Sequence, residues 1–244
     1  MKKLLASFGW ILLLLPLISV AGTKTILNTL QTAVLNEETR QVSEFRGITS
    51  SGSFDVFVNM GQTETLRIEG NAEDIEKVET KIEKGNLIIR YKGNSSGWGI
   101  SIRNKIKIYI TAKSLNHLAV SGSGDMEVSG PIRSEKLNAA VSGSGSISLN
   151  IIASNFNAAV SGSGEIKASG RAKSTSIAIS GSGEFEGRDL KTDNANVKVS
   201  GSGEASVHAD ETLNASVSGS GEISYSGNAR VNQSKSGSGS ISKE

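Results

Sequence analysis

The chain has 244 residues, with 26 Lys and Arg against 24 Asp and Glu and a formal net charge of +2. So even a balance gives no electrostatic drive toward nucleic acid or an anionic membrane surface. The absence of cysteine excludes disulfides, thiolate nucleophiles and Cys-based metal sites, and two histidines leave little room for His-rich metal chemistry. Glycine is frequent (28), proline rare (2) and aromatics scarce (5%), so small side chains must fill most of the interior.

Residues 1–21 read as an export signal. Lys2 and Lys3 form a positive start, Leu4 to Val20 is apolar apart from the break at Pro16, and Ser19-Val20-Ala21 offers small residues for cleavage near Ala21. The apolar run is short for a spanning helix and small residues follow it, so no integral membrane span is expected after cleavage. No cysteine follows to carry a lipid anchor. The expected location is therefore the periplasm, the outer cell surface or the medium. Residues 22–41 have weak periodicity and read as a linker.

From 42 to 110 the pattern is β but irregular. Phe54-Asp55-Val56-Phe57-Val58, Leu66-Arg67-Ile68 and Ile106 to Ile110 alternate, and Leu87 to Tyr91 is a continuous strand-like run. Asn71 to Val78 predicts a short helix capped by Asn71, with Glu73 and Asp74 in its first turn. Gly93 to Gly99 predicts an exposed loop carrying Trp98.

From 111 to 244 one element dominates. Val120-Ser121-Gly122-Ser123-Gly124 recurs at 141–145, 160–164, 179–183, 199–203, 217–221 and 235–239, seven copies at spacings of 18 to 21 residues. A fixed period near 20 marks a solenoid. Around each copy apolar residues alternate, as in Leu137, Ala139, Val141, then Ile147 and Leu149. A period of two means strands with one buried face, and Ser-Gly-Ser-Gly is then the corner between them. A propeller blade needs about twice this length. The expected fold is all-β, a single-stranded right-handed parallel β-helix of ~20-residue coils. Gln233, Lys235 and Lys243 replace apolar residues in the last copy, which suits a polar terminal cap.

Glu44-Phe45-Arg46-Gly47-Ile48, Ser51-Gly52-Ser53-Phe54-Asp55-Val56 and the Leu-x-x-Ser-Gly-Ser-Gly-Asp stretch from Leu118 to Asp125 resemble the family described as putative auto-transporter adhesin, head GIN domain. The resemblance covers roughly residues 42 to 240. It implies an exported β-helical domain of Bacteroidetes-type bacteria with an adhesin label. Its motifs form the fold and bring no catalytic residues with them.

The residues after the corners include Glu165, Glu184, Glu204 and Glu222. Stacked coils would set them in an acidic ladder about 5 Å apart. Such a row could recruit Ca²⁺ or a cationic ligand group, but a calcium site needs converging oxygens and a straight row reads more simply as a solvated corner. Asn138, Asn157, Asn196, Asn214 and Asn232 are placed to form an amide ladder. His117 and His208 fall about 19 Å apart, four coil steps, too far to share a catalytic unit. No Gly-x-Ser-x-Gly elbow and no phosphate loop occur in the repeats. Phe156, Phe185 and Tyr225, the aromatics of the repeats, are expected to point inward.

These features predict a non-enzymatic, adhesin-like binding or structural protein of the bacterial envelope, with no cofactor, no metal and no catalytic residue. Its partner is a glycan or an envelope protein, and its oligomeric state stays open. The alternative is a carbohydrate-active β-helix enzyme, a polysaccharide lyase or hydrolase. It would use the same acidic ladder beside Arg, Lys or aromatic platforms.

Overall fold

The computed structural model describes residues 36–93 and 105–244. The signal segment, most of the expected linker and residues 94–104, with Trp98, lie outside the described residues. The fold is nearly all-β, with 73% strand and 2% helix, and forms a β-solenoid of about seven turns with parallel stacking some 19 residues apart.

In chain order the elements begin with β1 (Asn36–Arg40), β2 (Gly47–Gly52), β3 (Asp55–Met60), β4 (Thr65–Gly70), α1 (Ala72–Ile75), β5 (Val78–Glu83), β6 (Asn86–Tyr91) and β7 (Lys107–Ala112). The repeats then supply β8 (His117–Gly122), β9 (Asp125–Gly143), β10 (Ser146–Gly162), β11 (Glu165–Gly181), β12 (Glu184–Gly187) and β13 (Leu190–Gly201). Last come β14 (Glu204–His208), β15 (Thr212–Gly219), β16 (Glu222–Ser226), β17 (Arg230–Ser236) and β18 (Ser240–Lys243).

A single coil shows how sequence becomes shape. In β10, Ile147, Leu149, Ile151 and Ala153 are buried, then Phe156, Ala158 and Val160. The step from 153 to 156 breaks the period of two, so Ser154 and Asn155 both leave the core and the strand turns a corner there. The other corner is Ser161-Gly162-Ser163-Gly164. Its first glycine sits at φ +109, which side chains rarely adopt, and a Cβ there would lie 2.6 Å from the Gly143 carbonyl oxygen of the coil before. That oxygen is held by the Ser163 N–H at 2.9 Å. The second glycine is needed for space alone. At Gly203 a Cβ would lie 2.6 Å from the Gly183 oxygen.

The corners stack in register from Gly122 through Gly143, Gly162, Gly181 and Gly201 to Gly219. An eighth corner precedes them. Gly52 aligns with Gly122, the Gly124 N–H donates to the Gly52 oxygen at 3.1 Å, and Phe54 stands where the repeats have their second glycine.

The N-terminal part departs from a simple series of coils. The β2–β3 coil lies between β6 and β7 on one side and β8 and β9 on the other, so stacking order is not chain order. β4 runs antiparallel to β7, β1 antiparallel to β4, and β5 antiparallel to β6. β1 falls within the stretch 22–41 that the sequence reads as a linker. Its weak periodicity follows from exposure of nearly all its residues, since edge pairing holds it rather than burial. Arg40 fixes it further, donating to the Val78 oxygen at 2.8 Å and to the α1 carbonyl of Ile75 at 3.3 Å. The helix is capped as expected, with the Asn71 side chain accepting from the Glu73 N–H at 3.0 Å.

At the other end, Gln233, Lys235 and Lys243 occupy the positions of Ala215, Val217 and Tyr225 in the coil below, and all three are exposed. An inward-row lysine on an edge strand discourages pairing with a further strand.

Candidate binding surface

The solenoid displays two outward surfaces, one on each side of the glycine corner. Before the corner, Asn138, Asn157, Ser176, Asn196, Asn214 and Asn232 align in one row. The amide ladder forms in part. Asn157 Nδ2 donates to Asn138 Oδ1 at 2.9 Å and Asn232 Nδ2 to Asn214 Oδ1 at 3.0 Å, while Ser176 interrupts the row.

After the corner, Glu165, Glu184, Glu204 and Glu222 are directly in register. The row runs back through Ser146, Asp125 and Asp55. Ser146 donates to Asp125 at 2.8 Å, and Lys105 bonds Asp55 at 2.9 Å. The pKa of Glu184 is raised above its ordinary 4.5, first by burial and then by Glu165 and Glu204 on either side, with Arg188 opposing. Among the described residues no cluster of three or more His, Asp or Glu is placed to hold a metal ion.

This row has a consequence for stability. A carboxyl whose folded pKa is raised binds its proton more tightly in the folded state, so stability falls as pH climbs above the unfolded value. Glu184→Gln is therefore expected to raise the melting temperature at pH 7, to lose that advantage below the ordinary value of 4.5, and to lose part of it in high salt. A melting temperature lower than the parent's at pH 7 would mean that the glutamate has a stabilising partner.

Phe156 and Phe185 are fully buried, as the pattern predicts, and Tyr225 is half-buried because the polar last coil covers it. His117 and His208 stand in different rows and coils. His208 instead contacts Ser226 Oγ at 2.9 Å and Asp210 Oδ1 at 3.1 Å, a local cluster the sequence did not announce.

The structure also places aromatic rings outward, in the irregular half. Phe57 on β3 and Tyr109 on β7 are in register, with ring centroids 5.2 Å apart and planes 20° from parallel. The Arg67 guanidinium of β4 covers the other face of Tyr109, 4.2 Å from its centroid, and pairs with Glu37 at 2.5 Å and Glu69 at 3.6 Å. Burial, and then the hydrogen bond to Glu69, push the Tyr109 pKa upward, so its hydroxyl remains a protonated donor at neutral pH. Two residues further along each strand, on the same outward face, Thr65, Thr111, Asn59 and Ser129 form a second row. A groove of about 650 Å³ lies over both rows. The signal was present in the alternation of Asp55–Met60 and Lys107–Ala112, which turns Phe57 and Tyr109 away from the core. What the sequence lacked was the pairing of two strands some 50 residues apart.

The sequence profile of the family described as "Putative auto-transporter adhesin, head GIN domain" matches residues 44–229. The chain belongs to this family. Among solved structures, this head GIN domain chain is similar to a putative adhesin from Bacteroides fragilis, at TM-score 0.78 and 23% identity, covering 86% of this chain and 97% of that one. It is also similar to two proteins of Parabacteroides distasonis. One is described as a putative lipid binding protein, with TM-score 0.70, 28% identity and coverage of 86% and 96%. The other is a putative adhesin with TM-score 0.70, 24% identity and coverage of 87% and 98%. No curated protein matches the chain in sequence. Among the described residues no helix is long and apolar enough to cross a membrane.

Proposed function

We propose that this head GIN domain chain is an exported, non-enzymatic, adhesin-like protein of the bacterial envelope, which holds a partner on an outward β face. The observation that carries the reading is the register-locked surface. Outward side chains have in-register neighbours on adjoining strands, so the spacing of the rows of Asn, Glu, Thr and aromatic groups is set by the backbone before any partner arrives. Prior order of this kind lowers the entropy lost on binding. Family membership and the adhesin-described structures support the same class. The Lys2-Lys3 start and the apolar run to Val20 support export. A lipid-holding role, suggested by one neighbour's description, would need interior space. Here the inward positions are taken by Phe156, Phe185 and packed aliphatic groups.

The test sets envelope preparations of the producing bacterium against the purified chain, with release of soluble oligosaccharide followed in parallel. Retention without release is expected. Release that disappears in Glu184→Gln or Glu204→Gln would overturn the reading and make the acidic row an active site. An N-terminus that keeps Met1 in cytosolic fractions would overturn export.

A further inference from the structure

The groove over β3, β4 and β7 has a composition unlike the rest of the surface. Its wall is the stack of Phe57, Tyr109 and the Arg67 guanidinium. Its floor is hydroxyl and amide, from Thr65, Thr111 and Asn59. Arg67 is paired with two carboxylates, Glu37 and Glu69, so the three groups together carry a net charge of −1 and leave no free cation for an anionic ligand. The volume, about 650 Å³, lies within the range of roughly 300–1,000 Å³ usual for small-ligand pockets.

The backbone beneath the groove is spoken for. β3 pairs with β7 and β9, β4 with β1 and β7, and β7 with β3 and β4. Over β3, β4 and β7 an extended peptide finds no strand edge to extend, the one edge strand at the groove being β1 with Thr39 at its border, so recognition on the floor itself must come from side chains. Those side chains combine an apolar aromatic wall with neutral hydroxyl and amide groups one strand step apart, about 4.8 Å, close to the width of a sugar ring. The rings are held by each other and by Arg67, so little rotamer freedom is lost when a ligand seats.

We infer that this groove is a saccharide subsite, taking a neutral pyranose that lies over the Thr65, Thr111 and Asn59 row with its hydroxyls on those groups and its C–H edge against the rims of the stacked Phe57 and Tyr109 rings. The inference rests on the binding role proposed above and gives that role its ligand class.

The test uses the purified full chain on an immobilised panel of neutral and uronate-bearing oligosaccharides. Envelope retention of the same preparation, with and without protease treatment of the envelopes, is measured beside it. Binding to a neutral oligosaccharide is expected. Phe57→Ala and Tyr109→Ala should weaken it at least roughly tenfold. Thr65→Val and Thr111→Val should weaken it several-fold with no change in melting temperature, whereas Asn214→Ala, before the corner, should leave it intact. An aromatic cluster that only staples β3, β4 and β7 together would be indifferent to the threonine changes. The saccharide inference is overturned if the panel is ignored, or if binding survives Tyr109→Ala and Thr65→Val in folded protein. Retention on envelopes that is lost after protease, with the panel ignored, would leave the binding role standing with a protein partner. Absence of retention as well would remove both.

Discussion

Replacing Gly162 by alanine is expected to destabilise the protein by about 3 kcal/mol. Two costs add at this position. The φ of +109 lies where an L side chain is strained, and the new methyl group would stand 2.6 Å from the Gly143 carbonyl oxygen. That oxygen has little freedom to retreat, because it accepts the Ser163 N–H at 2.9 Å and belongs to a corner stacked on both sides. Gly93→Ala isolates the first cost. Its φ is +81 and, among the described residues, nothing lies within 4 Å of the added Cβ, so about 1 kcal/mol is expected. Urea denaturation of both variants measures the difference. Equal midpoints would show that the corners yield and that coil spacing is not set by the glycine ladder.

That ladder is also why so much of the fold was legible in the sequence. A corner that admits only glycine at two positions leaves a mark that recurs with every coil, and the alternation of Leu137, Ala139 and Val141 with Asn138 and Ala140 then assigns each strand a buried side. Register followed from the same mark, so the alignment of Glu165 with Glu184, Glu204 and Glu222 could be read directly. Legibility ends where the constraint does. At the eighth corner Phe54 replaces the second glycine, and the motif no longer matches the repeat although Gly52 still stacks beneath Gly122. β1 escaped notice because an edge strand exposed along nearly all its length needs no apolar alternation. The groove escaped for a different reason. Alternation shows that Phe57 and Tyr109 face outward, but nothing local says that β3 and β7 are neighbours, and the antiparallel partners of β4 break the period that ordered the other coils. The cluster of His208, Ser226 and Asp210 depends on the turn after β14, whose coil is shorter than the one before it.

Phe156→Ala is expected to cost about 3–5 kcal/mol, the usual range for a fully buried aromatic. Phe156 is 0% exposed, on the strand segment before a glycine corner, and its ring meets that of Phe185 on a strand after a corner, with centroids 6.4 Å apart and planes at 40°. The two rings thus join opposite walls of the interior. The residues in register with them are Leu137 and Thr175 beside Phe156, and Ile166 and Ala205 beside Phe185, each held in its own place in the ladder. The surrounding backbone is pinned by pairing along both edges of β10 and β11, so collapse is also resisted there. A cavity should therefore persist and the loss should lie toward the upper end of the range. A double-mutant cycle with Phe185→Ala should show coupling of about 0.5–1.5 kcal/mol for the tilted ring pair. Because each coil touches only its neighbours, the damage should be local at first, with amide exchange rising around β10 and β11 before β2 and β3 are affected. A loss below about 1 kcal/mol would contradict this packing. It would mean that the interior relaxes around the missing ring and that the glycine corners, rather than the core, set the strength of the stack.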